Sequence, residues 1–149
     1  MYSRILVPID GSPTSQRGLE EALTLAKQLG SAVVLLHVVD SYPMMIEMAT
    51  ATTWDRITEG LRQMGRNVLE AAHAAASQQR VPCESVLEDV AAARVADVIV
   101  DQAKSRRCEL IVMGTHGRRG AGRALLGSDA ELVLRLSPVP VLLVRAPQG

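Results

Sequence analysis

The sequence predicts an α/β protein with a doubly wound, five-stranded parallel sheet of order 3-2-1-4-5 and helices on both faces. Five short apolar runs alternate with four amphipathic segments, which is typical of strand–helix repeats. The runs are apolar along most of their length, as are strands that helices cover on both faces. Right-handed crossovers leave few strand orders, and the order we favour puts the ligand-binding switch point between strands 1 and 4. We expect residues 1–149 to form one domain, because this length suffices for one hydrophobic core.

The first strand and helix are the most clearly marked elements. Residues 4–9 form an apolar run that predicts a strand. Ser12 is placed to cap the helix that follows, and Pro13 suits its first turn, where no N–H partner is needed. Apolar residues recur at helical spacing up to Leu29. Gly30 then predicts a left-handed helix end.

The middle of the chain predicts two strands and two helices. Residues 32–39 are a second apolar run, and residues 81–87 alternate more weakly, as an edge strand does. Helical spacing marks a long helix over residues 57–75 and a shorter one over 96–103. The Met-rich segment 41–53 fits either a loop or a weak helical turn.

The last third of the chain predicts the remaining elements. Residues 110–113 are a short apolar strand, and residues 139–144 are a final one. Residues 128–136 form a helix that Ser137-Pro138 stops. The segment Ser128-Asp129-Ala130-Glu131 matches a capping box with Ser128 as the N-cap residue.

The connection between Gly114 and Ser128 is the strongest signal for a binding site. It holds five of the eleven glycines, and it is longer than the usual connection of about 2–6 residues. From Leu110 to Ser128 there is no acidic residue, but there are three arginines and a histidine: Arg118, Arg119, Arg123 and His116. Glycines let peptide N–H groups turn towards an anion, and a helix N-terminus adds further N–H groups. These features favour an anion site; the alternative is a solvated loop before a capped helix.

Asp10 is a second candidate, at the carboxyl end of the first strand. A carboxylate there is placed to accept hydrogen bonds from a ribose, as acidic residues do in dinucleotide-binding folds. The alternative is that Asp10 only organises its own turn before Gly11 and Ser12. His37, late in the second strand, is interpreted as a hydrogen-bonded core residue.

Composition excludes several classes of function. Sixteen basic residues balance sixteen acidic ones, which argues against a general binder of nucleic acids or anionic membranes. Aromatic residues make up only 2%, so a bound base would have to lie between aliphatic side chains rather than on a stacking platform. Cys83 and Cys108 form no metal or disulfide pattern and are interpreted as buried thiols. No apolar run is long enough for a signal peptide or a membrane span, so we expect a cytoplasmic protein. No nucleophile–base set stands out, which favours a protein that is not an enzyme.

The sequence resembles the universal stress protein family along essentially its whole length. Residues 5–12 (ILVPIDGS) and 35–39 (LLHVV) resemble the family's first two strands, and residues 109–117 (ELIVMGTHG) resemble its fourth strand and turn, apart from Glu109 in place of Asp. The most specific feature is a spaced pattern of glycine, two residues, glycine, nine residues, glycine, then Ser or Thr. It marks the ATP-binding branch of the family and is met by Gly114, Gly117, Gly127 and Ser128.

The resemblance implies a Rossmann-like fold of the adenine nucleotide alpha hydrolase type, with ATP between strands 1 and 4. Asp10 would lie by the ribose or base and Val38 by the adenine. Met113 and Gly114 would line the floor, and loop amides with the start of the last helix would hold the triphosphate. The implied site residues are Pro8, Ile9, Asp10, Ser12, Val38, Met113, Gly114, Thr115, His116, Gly117, Arg118, Gly127, Ser128 and Asp129. The chain departs from the family at residues 91–94, where Ala91-Ala92-Ala93-Arg94 replaces a frequent glycine and proline.

The expected function is therefore that of an ATP-binding stress-response regulator, in which nucleotide orders the glycine-rich loop after strand 4 and a partner protein senses the change. Magnesium would arrive with the triphosphate, held mainly by its oxygens. The resemblance also implies a homodimer joined through the last strand, from Val139 to Val144, whose apolar edge would otherwise be exposed. Two alternatives stay open: a slow ATP hydrolase or phosphotransferase, and a nucleotide-free dimeric interaction scaffold.

Overall fold

Strands and helices alternate along the chain in the predicted order. The computed structural model describes residues 1–41, 51–90, 92–116 and 126–147. The strands are β1 (Arg4–Pro8), β2 (Ala32–Asp40), β3 (Cys83–Val90), β4 (Leu110–Gly114) and β5 (Val141–Val144), and the helices are α1 (Pro13–Leu29), α2 (Ala51–Gln78), α3 (Val95–Ser105) and α4 (Ser128–Leu136).

The strands form a parallel sheet of order β3-β2-β1-β4-β5, which confirms the predicted topology. β1 pairs with β2 along its whole length, up to Pro8↔Leu36. Its pairing with β4 ends earlier, at Leu6↔Ile111. The β1–β4 boundary is the switch point of the sheet, so a ligand is expected just beyond the carboxyl ends of these two strands.

The sheet is covered on both faces, as predicted. Alternate residues of β1 point to opposite sides: Ile5 and Val7 pack with α1 and α2, and Leu6 packs with α3 and α4. All three side chains have 0% exposure. Burying each contributes roughly 1.5–3 kcal/mol relative to an exposed position, so the two cores fix the register that places the strand ends.

The ends of α1 form as the sequence predicts. Ser12 is the N-cap residue, and its hydroxyl accepts from the Ser15 N–H at 3.1 Å. Pro13 occupies the first helical position, and Gly30 ends the helix with φ 69° in the left-handed region. Because the cap lies directly after β1, it fixes where α1 begins relative to the strand ends.

One expectation about a helix cap is wrong, and the Met-rich segment, for which two alternatives were open, is helical at its end. The capping box with Ser128 as N-cap residue is wrong, because Gly127 takes that position in extended conformation and α4 begins at Ser128, with no side-chain cap hydrogen bond. The chain is anchored one residue earlier, where the Gly127 N–H donates to the Thr115 carbonyl at 2.7 Å. In the Met-rich segment, residues 51–53 are the first turn of α2; residues 42–50 lie outside the described residues.

The thiols and the edge strand also differ in part from expectation. Cys108 is buried, but Cys83 is only half-buried, because β3 lies at the sheet edge. β3 begins two residues later and ends three residues later than the predicted span 81–87. Within the described ranges, no helix is both long enough and apolar enough to cross a membrane.

Candidate functional site

A cleft opens at the carboxyl edge of the sheet because β1 and β4 part at Pro8. The Glu109 N–H donates to the Arg4 carbonyl at 2.9 Å, so even-numbered residues of β1 direct their peptide groups towards β4. After the pair Leu6↔Ile111, the next rung would need an N–H at residue 8. Proline has none, so the ladder stops.

The outer pairings continue past this point, which turns the gap into a cavity. On one side, the Ile9 N–H donates to the Leu36 carbonyl at 2.8 Å and holds β1 to β2. On the other, the Thr115 N–H donates to the Val144 carbonyl at 3.0 Å and holds β4 to β5. The two halves of the sheet therefore diverge only at the switch point.

The cavity has a volume of about 630 Å³, within the range of roughly 300–1,000 Å³ that is usual for small-molecule sites. Its walls come from the strand ends of β1, β2 and β4, from α2 and α3, and from the first turn of α4. The lining residues are Pro8, Ile9, Asp10, Ser15, Leu36, His37, Val38, Val39, Asp40, Leu61, Met64, Val95, Ile99, Met113, Gly114, His116, Gly127, Ser128, Asp129 and Ala130.

Asp10 lines this cavity and also shapes its own turn. Its Oδ1 accepts from the Ser12 N–H at 2.8 Å, and Gly11 between them has φ 81°, a conformation that glycine adopts without strain. The turn fixes the carboxylate at the mouth of the cavity beside the first turn of α1.

The β2 end of the cavity is aliphatic. Val38 faces it from β2, Val95 and Ile99 from α3, and Leu61 and Met64 from α2. With so few aromatic residues in the chain, these side chains provide the surfaces between which a flat base would fit. Met64 is 47% exposed, so this end of the cavity is accessible from solvent.

The opposite end is formed by backbone groups around the start of α4. The N-cap Gly127 brings the first-turn N–H groups to the cavity without a capping side chain, and a helix N-terminus carries a partial positive charge. A Cβ at position 127 would lie 3.0 Å from His116 Cα, so glycine permits this close approach. The Nε2 of His116 lies 3.3 Å from Thr14 Oγ1 in α1. Both ends of the glycine-rich connection are thus held beside the cavity.

Ten of the fourteen residues implied by the family resemblance line the cavity: Pro8, Ile9, Asp10, Val38, Met113, Gly114, His116, Gly127, Ser128 and Asp129. Ser12 and Thr115 flank it instead, because Ser12 caps α1 and the Thr115 carbonyl anchors Gly127. Gly117 and Arg118 lie outside the described residues.

Sequence reasoning missed the contribution of the helices. Leu61 and Met64 of α2 and Val95 and Ile99 of α3 reach the cavity, but their spacing marks only an apolar helix face. His37 was assigned to the core, and it is indeed buried and hydrogen-bonded. It also lines the cavity, which its position one residue before Val38 could have indicated.

An ion pair holds the start of α3, next to the residues where the chain departs from the family pattern. Arg94 precedes α3 and pairs with Asp97 through two hydrogen bonds of 2.9 and 3.0 Å. The hydrogen bonds from Arg94 lower the pKa of Asp97. This pair holds the first turn of α3, which carries Val95 into the cavity wall.

In the parts of the chain that the structure describes, no group of three or more His, Cys, Asp or Glu side chains is arranged to hold a metal ion.

Comparison with known proteins identifies the family. The sequence profile of the universal stress protein family matches residues 1–145. Universal stress protein MJ0531 of Methanocaldococcus jannaschii is 34% identical to this chain over 149 residues, which cover 99% of this chain and 85% of that protein.

Solved structures share the fold. The structure of MJ0577 of Methanocaldococcus jannaschii matches with a TM-score of 0.85 and 25% identity, covering 100% of this chain and 99% of that one. A universal stress protein family protein of Arabidopsis thaliana, solved with AMP bound, has a TM-score of 0.71 and 17% identity, covering 97% of this chain and 92% of that one.

Proposed function

The chain belongs to the universal stress protein family, and we propose that it binds ATP in the cavity at the β1–β4 switch point. The observation that supports this best is that one cavity joins an aliphatic end at β2 to the N-terminus of α4, whose N-cap residue is a glycine. The first suits a base without aromatic stacking, and the second suits phosphates. That the Arabidopsis protein of this fold holds AMP indicates that the fold accommodates an adenine nucleotide.

The adenosine would occupy the end formed by β1 and β2. Asp10 at the mouth would accept hydrogen bonds from ribose hydroxyls, and Val38 would lie by the adenine. Met113 and Gly114, both buried at the end of β4, would form the floor. The carboxylate of Asp10 is already oriented by its bond to Ser12, so binding would not need to order it.

The triphosphate would lie at the opposite end, against the first turn of α4. The spaced pattern Gly114, Gly117, Gly127 and Ser128 would supply peptide N–H groups that no Cβ obstructs. The arginines between them would add charge-assisted hydrogen bonds worth about 1.5–3 kcal/mol each where desolvated. Magnesium would be carried by the triphosphate oxygens, since the ion keeps most of its water and needs few protein ligands.

The regulatory step would be a response of residues 117–125 to the triphosphate. The two ends of this connection are held beside the cavity by the Gly127–Thr115 and His116–Thr14 contacts. ATP would shift the protein towards the conformation that it binds more tightly. A partner protein would then distinguish the ATP-bound surface from the ATP-free one.

Calorimetry of nucleotide-free protein with MgATP tests the proposal. We expect a Kd in the micromolar range, about −8 kcal/mol, and weaker binding by Gly117→Val and Gly127→Val. Gly60→Val is the matched control, because no described atom beyond the neighbouring residues and the adjacent backbone of α2 lies within 4 Å of a Cβ at that position. Absence of heat at millimolar MgATP would refute the proposal.

We also propose that two copies of the chain pair through β5, because the two edge strands of the sheet differ in charge. The outer strand β3 carries the exposed charges Glu84 and Asp89, which discourage edge pairing. The sequence of β5 is VLLV, entirely apolar, and Leu142 is 37% exposed. An uncharged apolar edge is stabilised when a second copy covers it, and light scattering should give the mass of a dimer.

A further inference from the structure

The ladder between β1 and β2 is only half formed at Ile9, beside the cavity. The Ile9 N–H donates to the Leu36 carbonyl at 2.8 Å, as a parallel ladder requires. The matching bond would run from the Val38 N–H to the Ile9 carbonyl, and no such bond is present among the described residues. That carbonyl accepts from His37 Nδ1 at 2.8 Å instead.

The His37 ring is fixed in this contact. A carbonyl oxygen only accepts, so Nδ1 carries a hydrogen. The residue is 6% exposed, and α2 lies over it: a Cβ at Gly65 would be 2.5 Å from His37 Cδ2 and 2.8 Å from Leu87 Cδ1. The imidazole therefore cannot leave the carbonyl unless α2 moves, and the helix can come this close only because residue 65 has no side chain.

The consequence is a Val38 peptide group that faces the cavity. The Leu36 carbonyl points towards β1, and the two-residue period of a strand directs the N–H and C=O of Val38 to the same side. β1 has turned away after Ile9, so these groups meet the cavity, which Val38 lines. A neighbouring donor and acceptor match adenine, which presents a ring nitrogen acceptor beside its amino donor; guanine has an O6 acceptor where adenine has that amino group.

We propose that His37 is a positioning residue for base recognition: by taking the Ile9 carbonyl, it keeps the Val38 peptide group available to the base. The inference deepens the proposed ATP function and rests on it for the identity of the base. What His37 does to the Val38 N–H is a property of the chain alone, so it can be measured without any ligand.

Two variants at residue 37 and two at glycines of α2 test the proposal. His37→Leu removes the donor and keeps an apolar side chain of similar reach, whereas His37→Asn keeps a donor near the position of Nδ1. Gly65→Ala displaces the ring without changing its chemistry. Gly60→Ala is the matched control in the same helix, because within the described part of the chain its new Cβ would contact nothing within 4 Å beyond the adjacent residues and backbone of α2.

Amide hydrogen exchange at Val38 is the first readout. In the nucleotide-free protein, we expect the Val38 N–H to exchange faster than its neighbours in β2, and MgATP to protect it. In His37→Leu, the Ile9 carbonyl becomes free to accept from Val38, so protection should rise about tenfold, as one hydrogen bond provides. Gly65→Ala should give the same change in smaller measure, and His37→Asn and Gly60→Ala should resemble the unchanged protein.

Ligand selectivity is the second readout. His37→Leu should bind ATP about tenfold more weakly, with a lower ratio of ATP to GTP affinity, while its affinity for tripolyphosphate stays unchanged. A merely structural role would lower the affinities for ATP and tripolyphosphate together. Equal Val38 exchange in the unchanged protein and in His37→Leu would overturn the assignment even if ATP binds. Failure of the unchanged protein to bind ATP would instead refute the proposed function, and the exchange result would still decide the role of His37.

Discussion

Replacing Gly114 by alanine tests the closest approach in the site, where the first turn of α1 packs on the end of β4. A Cβ at position 114 would lie 2.7 Å from Thr14 Cγ2 and 2.9 Å from the Thr14 carbonyl carbon. Carbon atoms in contact prefer about 3.5–4.0 Å, so α1 and β4 must separate by roughly 0.5–1 Å. The Thr14 backbone cannot rotate away, because the Ser12 cap fixes the start of α1.

Overpacking of this kind costs about 1–3 kcal/mol, so Gly114→Ala should lower the free energy of unfolding by that amount and the melting temperature by about 2–4 °C per kcal/mol. Gly60→Ala is the control, and its effect on stability should have the opposite sign. Gly60 lies in the interior of α2, and among the described residues nothing but the adjacent part of this helix lies within 4 Å of the new Cβ. There only helix propensity acts, and stability should rise by about 0.5–1 kcal/mol.

The assay is urea unfolding of the three proteins, read as the denaturation midpoint at constant slope. Gly114→Ala should also weaken ATP binding, because β4 forms the floor of the cavity, whereas Gly60→Ala should not. A Gly114→Ala protein that is as stable as the original, or that gains stability as Gly60→Ala does, would show that α1 does not pack on β4 as closely as the structure has it.

Three further predictions concern the turn, the thiols and the sheet edge. Asp10→Ala should lower the free energy of unfolding by about 0.5–1.5 kcal/mol through loss of the bond to the Ser12 N–H, and Asp10→Asn, which keeps an acceptor, should restore most of it in urea titrations; equal midpoints for both variants would contradict this. Burial raises the pKa of both thiols, so exposure should decide their order of reaction: iodoacetamide should modify half-buried Cys83 before Cys108, which is 4% exposed, and peptide mass spectrometry that finds the reverse order would be inconsistent with the packing. Leu142→Lys should convert the proposed dimer to a monomer in light scattering, whereas Leu29→Lys, at a residue that is 48% exposed against 37% for Leu142 but lies at the end of α1, should leave the mass unchanged.

Elements governed by local chemistry were predictable from the sequence. The apolar runs of β1, β2 and β4, the Ser12 cap and the Gly30 terminator all depend on residues within one turn or strand, and the structure has them where the sequence puts them. The strand order followed from general rules of handedness. None of these depends on which side chains meet across the molecule.

The remaining features depend on contacts between distant segments. The N-cap residue of α4 was misassigned because Ser128 and Glu131 fit a capping box locally, whereas the Gly127 N–H is anchored on the Thr115 carbonyl after β4. The role of Gly65 was equally hidden, since a helical glycine looks only unfavourable until His37 is known to lie beneath it. The position of Leu61 and Met64 at the cavity could not be predicted either, because helical spacing does not indicate which part of an apolar helix face lines a cavity.

Pro8 shows how a site can follow from one missing donor once the register is known. In the sequence it is a proline near the end of a strand, which predicts little more than a strand end. With Leu6 paired to Ile111, position 8 becomes the residue whose N–H should continue the β1–β4 ladder, and its absence opens the sheet on that side alone. Ile9 and Leu36 remain joined on the other side, so the divergence is confined to the switch point. The half-formed rung at His37 has a similar explanation, because the cavity lies beside a missing ladder hydrogen bond on both sides of β1. At Pro8 the donor itself is absent, and at Ile9 the carbonyl accepts from the His37 imidazole instead of from the next strand.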